Sequence, residues 1–270
     1  MKKKDLKPVP AMLTLLILAL SCISFGSGLI ATGGSSSQKQ LPIYCVETDK
    51  PYISISFDAA WGNEDTEKLI EILEKYNVKT TFFVVGSWVD KYPESVKQLS
   101  DAGHEIMNHS NSHPHMTSLT TEQMIEEVKK CDDKIKKITG KKPNLFRAPY
   151  GDYDNAVVGT LRECGHYTIQ WDVDSLDWKN LSAGEITERV VSRVKPGSIV
   201  LFHNAALNTP EALPAILEKL QKDGYKIVPV SELIYTDAYT IDSSGKQIPS
   251  AEKTDDSAPK QKNGTKNKNT

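Results

Sequence analysis

Two histidines stand four residues apart in the run HSNSH, as His109 and His113. On one turn of helix this spacing points both imidazoles at a single spot, where a transition metal is the natural occupant. A pair of loop histidines that hydrogen-bond the backbone is the alternative interpretation. His115 is a third imidazole nearby, and we expect it behind the metal ligands or at the surface.

A lone carboxylate, Asp58, lies in the run SFDAAWG, and the run RAPYG contributes Arg147 and Tyr150. A guanidinium stays charged at ordinary pH, and a proline-stiffened loop can hold the Tyr150 N–H as a fixed donor to an oxyanion. A tight turn in which Arg147 pairs with an acid for stability is the alternative interpretation. Together the two runs offer a base, a cation and a hydrogen-bond donor.

Three carboxylates lie between two indoles in the run WDVDSLDW, and His203 follows the apolar run IVLF. Carboxylates this close raise one another's pKa unless a cation joins them, so we expect cationic partners. Arg147 and His203 are the available ones. Opposite a carboxylate, the pKa of His203 can rise from about 6.5, which suits a general acid.

Short apolar runs rich in β-branched and aromatic residues alternate with segments of helical period in the middle of the chain. This alternation predicts an α/β fold, and seven such units favour a distorted, incomplete (β/α) barrel of about seven parallel strands over an open sheet. Strands are predicted at 52–57, 80–85, 105–108, 144–147, 167–172, 198–202 and 226–229, and helices at 64–76, 121–139, 183–194 and 210–222.

The candidate residues all come at the carboxyl end of a predicted strand. They are Asp58 after the first strand, His109 after the third, Arg147 at the end of the fourth, Asp174 and Asp177 after the fifth, and His203 after the sixth. Parallel barrels build their active sites at this end. Chance would scatter polar residues over both ends, so the clustering indicates an enzyme-like site.

The chain has 270 residues, a charged fraction of 25% and a formal net charge of -2. Interspersed charges without a basic face exclude nucleic acid as the expected partner. Lysines precede an uncharged apolar run at 11–31, which is long enough to span a membrane as an anchor; a cleaved signal segment is the alternative. Residues 1–10 would then be cytoplasmic and the domain extracytoplasmic, anchored in the cell membrane or, after cleavage, secreted.

The rest of the chain is predicted as a linker at 32–49, one domain at 50–235 and a disordered polar tail at 236–270. The linker and the tail hold too little apolar surface to offset the entropy of ordering. Cys45, Cys131 and Cys164 are expected as buried or free thiols, because their spacing matches neither a disulfide framework nor a CxxC metal site.

Taken in order, the runs SFDAAW, HSNSH, RAPYG, DSLDW and LFH resemble the five motifs of the polysaccharide deacetylase family, also called the NodB homology domain or carbohydrate esterase family four. The resemblance covers about residues 50–232. The stretches FDAAWGNEDT and NHSNSHPHMT are most similar to its membrane-anchored, sporulation-associated PdaB-like subgroup. The resemblance implies hydrolysis of N-acetyl groups from amino sugars of a cell-wall polysaccharide, either peptidoglycan or a chitin-like glycan.

The resemblance also implies a role for each matching position. Asp58 corresponds to the catalytic base and Arg147 to the residue that orients it. His203 would protonate the departing amine, while Asp177 would hold and charge the imidazole. On the substrate side, the Tyr150 N–H would stabilise the oxyanion. Independently of the resemblance, the rings of Trp178 and Tyr150 are candidates for an apolar wall against the sugar ring, with core packing as the alternative, and Asp174 is a further candidate for substrate binding.

One position departs from the family pattern. His109 and His113 match the imidazoles that bind zinc or another divalent transition metal, but Ala59 stands where most members have a third ligand, an aspartate. Catalytic zinc sites usually use three protein ligands and a water, so we expect weak metal binding. Asp58 itself is one replacement ligand, and the other candidates are His115, Asn63 and Asp65.

Two functions are therefore open at the level of sequence. The first is a metal-dependent deacetylase, and the second is a weakened or inactive relative that binds cell-wall glycan or serves as a scaffold in spore assembly. A glycosidase that uses Asp58 with Asp174 or Asp177 shares the two-carboxylate chemistry but leaves the histidine pair without a purpose.

Overall fold

The sheet is organised around β2 (Tyr52–Ala59), whose sequence alternates large apolar residues with small polar ones and whose side chains are almost all buried. The computed structural model describes residues 39–250 of the chain. Apolar side chains of β2 pack in the main core, and the hydroxyls of Ser54 and Ser56 donate to carbonyls of neighbouring strands at 2.7 and 2.8 Å. These bonds let a central strand carry polar side chains without an unsatisfied donor.

Seven parallel strands form the curled sheet, and two strands that follow each other in the chain lie at its opposite edges. Besides β2, the strands of residues 39–250, in chain order, are β1 (Cys45–Val46), β3 (Thr81–Val84), β4 (Glu105–Asn108), β5 (Leu145–Phe146), β6 (Tyr167–Thr168), β7 (Val173–Asp174), β8 (Ile199–His203), β9 (Lys226–Ile227), β10 (Tyr239–Ile241) and β11 (Lys246–Pro249). Of these, β1, β10 and β11 form a separate small sheet. The order across the sheet is β6-β5-β4-β3-β2-β8-β7, and β9 pairs with the start of β2. The prediction of an incomplete (β/α) barrel is confirmed.

The predicted strand at 167–172 is not one strand. Its start forms β6 at one edge of the sheet, and the chain then crosses to the other edge, where β7 pairs with β8. The residues between β6 and β7 run from one edge of the sheet to the other and belong to no strand.

Helices cover the outside of the sheet. They are α1 (Thr66–Lys75), α2 (Gly86–Lys91), α3 (Pro93–Asp101), α4 (Thr121–Thr139), α5 (Asn155–Glu163), α6 (Ala183–Val191), α7 (Thr209–Lys222) and α8 (Val230–Leu233). The four predicted helices are present within a few residues. The prediction omits α2, α3, α5 and α8, which are shorter, and Pro93 interrupts the helical period between α2 and α3.

Helix α4 lies behind the candidate site and has clear ends. A capping box between Thr120 and Gln123 begins it, and Gly140, with a φ of 73°, ends it. Its buried side chains follow the helical period, at Met124, Val128, Cys131 and Ile135. Each fully buried apolar side chain of this size contributes about 1.5–3 kcal/mol to stability, so this helix is firmly packed.

The boundaries of the domain differ from those predicted. Within the predicted linker, Ile43 and β1 are buried. Within the predicted tail, β10 and β11 form an antiparallel pair, and β11 pairs with β1 in parallel. A polar sequence forms ordered strands here because β1 supplies backbone partners, and Gln247 is fully buried.

Residues 1–38 and 251–270 lie outside the described residues, and with them the predicted membrane or signal segment at 11–31. Between residues 39 and 250, no helix combines the length and apolar character needed to cross a bilayer. The three cysteines of this range are free thiols; Cys45 and Cys131 are buried, and Cys164 is partly exposed.

Candidate active site

The buried pair of Asp58 and Arg147 forms the floor of the site. Arg147 Nη1 donates to Asp58 Oδ1 at 2.8 Å, and Nη2 donates to Ser56 Oγ at 2.9 Å and to the Gln170 carbonyl at 3.2 Å. Burial raises the pKa of Asp58, but Arg147 and the nearby imidazoles outweigh burial and hold that pKa below its usual value. Asp58 is therefore a carboxylate at neutral pH.

The two imidazoles of the HSNSH run stand next to Asp58. His109 Nδ1 lies 2.8 Å from the Arg147 carbonyl, so this nitrogen carries the proton, and Nε2 faces Asp58 Oδ2 at 3.5 Å. The ring centroids of His109 and His113 are 5.0 Å apart. Burial lowers the pKa of His109 and lowers that of His113 to about 4, so both rings are neutral at neutral pH.

The loop that carries these imidazoles is not the helical turn that the sequence predicts. Ser110 and His113 have left-handed backbones, with φ of 68° and 62°. The Ser110 N–H donates to Asn108 Oδ1 at 2.8 Å, and the His113 N–H donates to Ser110 Oγ at 2.9 Å. Glu127 of α4 accepts the N–H groups of residues 111 and 112 at 2.9 and 2.8 Å. Side-chain hydrogen bonds thus hold a strained loop in place.

His203 and Asp177 form the second pair of the site. His203 Nδ1 and Asp177 Oδ1 are 2.8 Å apart, and Asp177 Oδ2 also accepts the His203 N–H and the Thr209 hydroxyl at 2.8 Å. Burial lowers the pKa of His203, but Asp177 raises it more, so the net pKa lies above the ordinary value. Asp177 is fully buried beneath His203, so it cannot contact a glycosidic bond.

The predicted substrate residues surround the opening. Tyr150 has a φ of 61° in the turn Pro149–Gly151, and its ring is exposed, as is that of Trp178. Asp174 Oδ1 accepts the Leu176 N–H at 2.8 Å. One cavity of about 460 Å³ is lined by these three residues, by Asp58 and by three histidines, His109, His113 and His203. Every predicted site residue except the buried Arg147 and Asp177 lines this cavity. Those two contact lining residues, since Arg147 bonds to Asp58 and Asp177 to His203.

Two aromatic residues of the site are absent from the prediction. Trp61 is 57% exposed, and its ring centroid lies 6.2 Å from those of both His113 and His203. Trp171, noted in the sequence only as a flank of the carboxylate run, also lines the cavity. An indole directly after the first motif is the signal that could have identified Trp61. A second cavity of about 510 Å³, beside β6 and β10, is lined by none of the motif residues.

The candidate replacement ligands for a metal are engaged elsewhere. Asn63 Nδ2 donates to Ser95 Oγ at 3.0 Å, and Asp65 Oδ2 accepts the Ala205 N–H at 2.8 Å. His115 is exposed, stacks on the Tyr150 ring and lies outside the cavity.

A three-ligand metal site does not fit these residues. From residue 39 to residue 250 no group of three His, Cys, Asp or Glu is arranged to hold a metal ion. His109 and His113 are neutral and available as donors, but Ala59 adds no third, and Asp58 is bonded to Arg147. A catalytic zinc centre needs one more protein ligand than this pair provides.

The chain is similar to two proteins of Bacillus subtilis (strain 168). The uncharacterized protein YlxY is 37% identical over 193 residues, which are 72% of this chain and 60% of YlxY. The peptidoglycan-N-acetylmuramic acid deacetylase PdaA is 33% identical over 202 residues, 73% of this chain and 77% of PdaA. The chain thus spans less than two thirds of YlxY but most of PdaA.

The solved structures and the family model agree with these relatives. Wild-type BA3943 of Bacillus anthracis, described as a CE4 family pseudoenzyme, is 35% identical with a TM-score of 0.69, and the match covers 71% of this chain and 68% of that one. A BA3943 mutant described as having restored enzymatic activity is 36% identical, also with a TM-score of 0.69, over 71% and 70% of the two chains. The model for polysaccharide deacetylase matches residues 46–169. This chain therefore belongs to the polysaccharide deacetylase family, the NodB or carbohydrate esterase family four group.

Proposed function

We propose that this protein hydrolyses N-acetyl groups from amino sugars of a cell-wall polysaccharide, either peptidoglycan or a chitin-like glycan. The observation that carries the proposal is that Asp58 and His203, each held by its own charged partner, open into one cavity of about 460 Å³. A base and an acid at one opening are what amide hydrolysis requires. PdaA, a peptidoglycan deacetylase, supports the choice of polymer.

The proton transfers follow from the two pairs. Asp58 takes a proton from water, whose oxygen adds to the acetyl carbon. The Tyr150 N–H, fixed in its turn, would donate to the oxyanion. When the C–N bond breaks, His203 gives its proton to the sugar nitrogen, and acetate and a free amine leave. Asp177 favours the protonated form of His203 before this step, because it raises the pKa of the imidazole.

We further propose that zinc or another divalent transition metal binds weakly to His109 and His113. In a complete site such a metal polarises the carbonyl and lowers the pKa of bound water. The pair lacks a third donor, so we expect slow turnover.

A second candidate is a protein that binds cell-wall glycan without turnover, as a scaffold in spore assembly. Two observations favour it: Ala59 offers no donor atom, and the similar protein BA3943 is described as a pseudoenzyme. The sporulation setting itself rests on the resemblance of the first two motifs to the PdaB-like subgroup.

The localisation remains part of the proposal. The uncharged segment at 11–31, preceded by lysines, would anchor the protein in the cell membrane with the domain on the extracytoplasmic side. This side is where cell-wall glycan is found. If the segment is cleaved, the domain would be secreted to the same side.

Acetate release separates the two candidates. The protein would be incubated with N-acetylglucosamine oligomers and with peptidoglycan, with chelator and with added zinc, and compared with Asp58→Asn. Hydrolysis predicts acetate from the wild type and none from Asp58→Asn. Absence of acetate at every zinc concentration, with glycan binding retained, would establish the second candidate; absence of both would reject each of them.

A further inference from the structure

Two hydrogen-bond acceptors, Asp58 Oδ2 and His109 Nε2, face each other on the floor of the cavity, with the His113 ring beside them. Arg147 bonds to Oδ1 of Asp58, which leaves Oδ2 directed at His109 Nε2 at 3.5 Å. The proton of His109 is on Nδ1, because that nitrogen contacts the Arg147 carbonyl. Two lone pairs therefore meet beside a second imidazole, that of His113. A group that fits this place must be positive or must donate several hydrogen bonds.

An ammonium group suits these acceptors better than a metal ion does. A catalytic metal centre requires a third protein ligand that Ala59 does not supply. An ammonium carries three N–H donors, and bonds from it to a carboxylate are charge-assisted. The groups available to an ammonium here are one carboxylate oxygen of Asp58 and the imidazoles of His109 and His113.

The charges around the cavity also favour a cation. Asp58 is paired with Arg147, and Asp177 with His203. Asp174 lines the cavity, and within residues 39–250 its carboxylate accepts a backbone N–H but forms no ion pair. Asp174 therefore adds a negative charge to the cavity lining that no ion pair in this part of the chain offsets.

An indole completes the environment. Trp61 stands beside His113 and His203, with centroid separations of 6.2 Å, and more than half of its surface is exposed. The face of an indole attracts cations, and this attraction strengthens where water is excluded. Because Trp61 is a neighbour of His113, a cation held beside that imidazole lies near the indole.

We propose that this cavity binds a de-N-acetylated amino sugar of a cell-wall glycan, with the protonated amine between Asp58, His109 and His113 and beside Trp61. The proposal rests on the proposed function, because it uses the same glycan and the same cavity. The bound sugar is the product of that reaction. The protein would therefore remain on glycan that has already lost its acetyl groups, and product would compete with substrate.

The test compares two oligomers that differ only in their acetyl groups. Binding of β-1,4-linked tetraglucosamine and of its tetra-N-acetyl form would be measured by calorimetry at slightly acidic pH, with the full-length protein freed of metal by a chelator. We expect the free-amine oligomer to bind about tenfold or more tightly, and its affinity to fall as salt rises.

Two variants test the contacts. Asp174→Asn keeps the hydrogen bond to Leu176 but removes the charge, and Trp61→Ala removes the indole. Each should weaken binding of tetraglucosamine by about tenfold and change binding of the acetylated oligomer less. Asp133→Asn removes an equal charge from the exposed side of α4, and Leu207→Ala removes an exposed apolar side chain outside the cavity lining; both should leave the two affinities unchanged.

The outcomes separate this inference from the proposed function. Equal or tighter binding of the acetylated oligomer overturns the inference and leaves the proposed function standing. An equal loss of affinity for both oligomers in Asp174→Asn also overturns the inference. The charge of Asp174 would then not distinguish the free amine from the acetylated amine. If neither oligomer binds, the inference fails, and the proposed function is then decided by acetate release from peptidoglycan.

Discussion

Ala59 stands where the family pattern has a third metal ligand, so it is the position at which such a ligand can be tested. Its methyl group is fully buried at the end of β2 and offers no lone pair. In Ala59→Asp a carboxylate takes that place, and a buried carboxylate without a cation is costly, whereas one that binds metal is not. We expect Ala59→Asp to be less stable than the wild type in chelator, and to gain more in Tm from zinc than the wild type gains.

Thermal unfolding with chelator and with zinc measures this effect, and metal content and acetate release are followed on the same samples. Ala59→Asn is the matched control, since it adds similar volume without charge. An equal zinc response in Ala59→Asp and Ala59→Asn would contradict the prediction. If the aspartate variant gains both metal and acetate release, the natural cavity is a weakened hydrolase.

The charge of His203 depends on Asp177. A histidine whose folded pKa is raised stabilises the protein fully below the unfolded pKa, about 6.5, and this stabilisation is lost as pH rises through the folded pKa. We expect the NMR titration of His203 to lie above pH 6.5 in the wild type and to fall in Asp177→Asn. The free energy of unfolding should lose the corresponding pH dependence. Asp133→Asn is the control; an unchanged His203 titration in Asp177→Asn would show that another group sets its pKa.

Residue type, together with position at strand ends, predicted most of the residues that line the candidate site. Asp58, His203 and the imidazole pair were predicted because a base, an acid and metal donors are rare side chains whose positions at strand ends can be read from the chain. Trp61 was not predicted, since an indole after a strand is more often part of the core. Only the folded loop shows that it stands beside His113 and His203.

At the scale of the elements, helix α4 holds the loop between His109 and His113 through the side chain of Glu127. Its carboxylate accepts the N–H groups of residues 111 and 112 and the Ser112 hydroxyl, at 2.8–2.9 Å. Glu127→Ala should release the loop, lower the free energy of unfolding by about 1–2 kcal/mol and weaken zinc binding at His113. Denaturant unfolding and zinc titration measure the two effects.

Glu126→Ala is the matched control for this helix. Glu126 is adjacent and exposed, and its one ion pair within residues 39–250 is with Lys130, one turn along the same helix, at 2.7 Å. A surface pair of this kind contributes little, so both stability and zinc binding should stay close to wild type. Similar losses of zinc affinity in the two variants would mean that Glu127 acts through the helix as a whole rather than on the loop.

The same loop marks the limit of prediction for local structure. Strands and long helices were predicted because apolar period is a property of the sequence itself. The left-handed backbones of Ser110 and His113 depend on bonds from Asn108 and from α4, the latter 14 or more residues away in the chain. The break between β6 and β7 likewise depends on long-range pairing, because β6 pairs with β5 and β7 pairs with β8. Neither the loop contacts nor these strand pairings can be predicted from the neighbouring sequence alone.

On the scale of the molecule, the two ends of the described chain support one another. The β10–β11 hairpin pairs with β1, and the Tyr44 N–H donates to the Gly245 carbonyl at 2.9 Å. The sequence of the hairpin is polar, so composition predicted a tail. Its order comes from backbone pairing with a strand about 200 residues earlier, which composition does not reveal.

Gln247 holds this closure together. Its side chain is fully buried, with Oε1 accepting the Tyr235 N–H at 2.8 Å and Nε2 donating to the Tyr235 carbonyl at 2.6 Å. Gln247→Ala leaves both backbone groups without that partner, and each costs about 1–3 kcal/mol when buried. We expect a loss of about 2 kcal/mol or more in the free energy of unfolding, while glycan affinity of the folded protein stays unchanged. Thr240→Ala, on the exposed side of β10, is the control for denaturant unfolding. If Gln247→Ala and Thr240→Ala have the same free energy of unfolding, the hairpin contacts the domain without stabilising it.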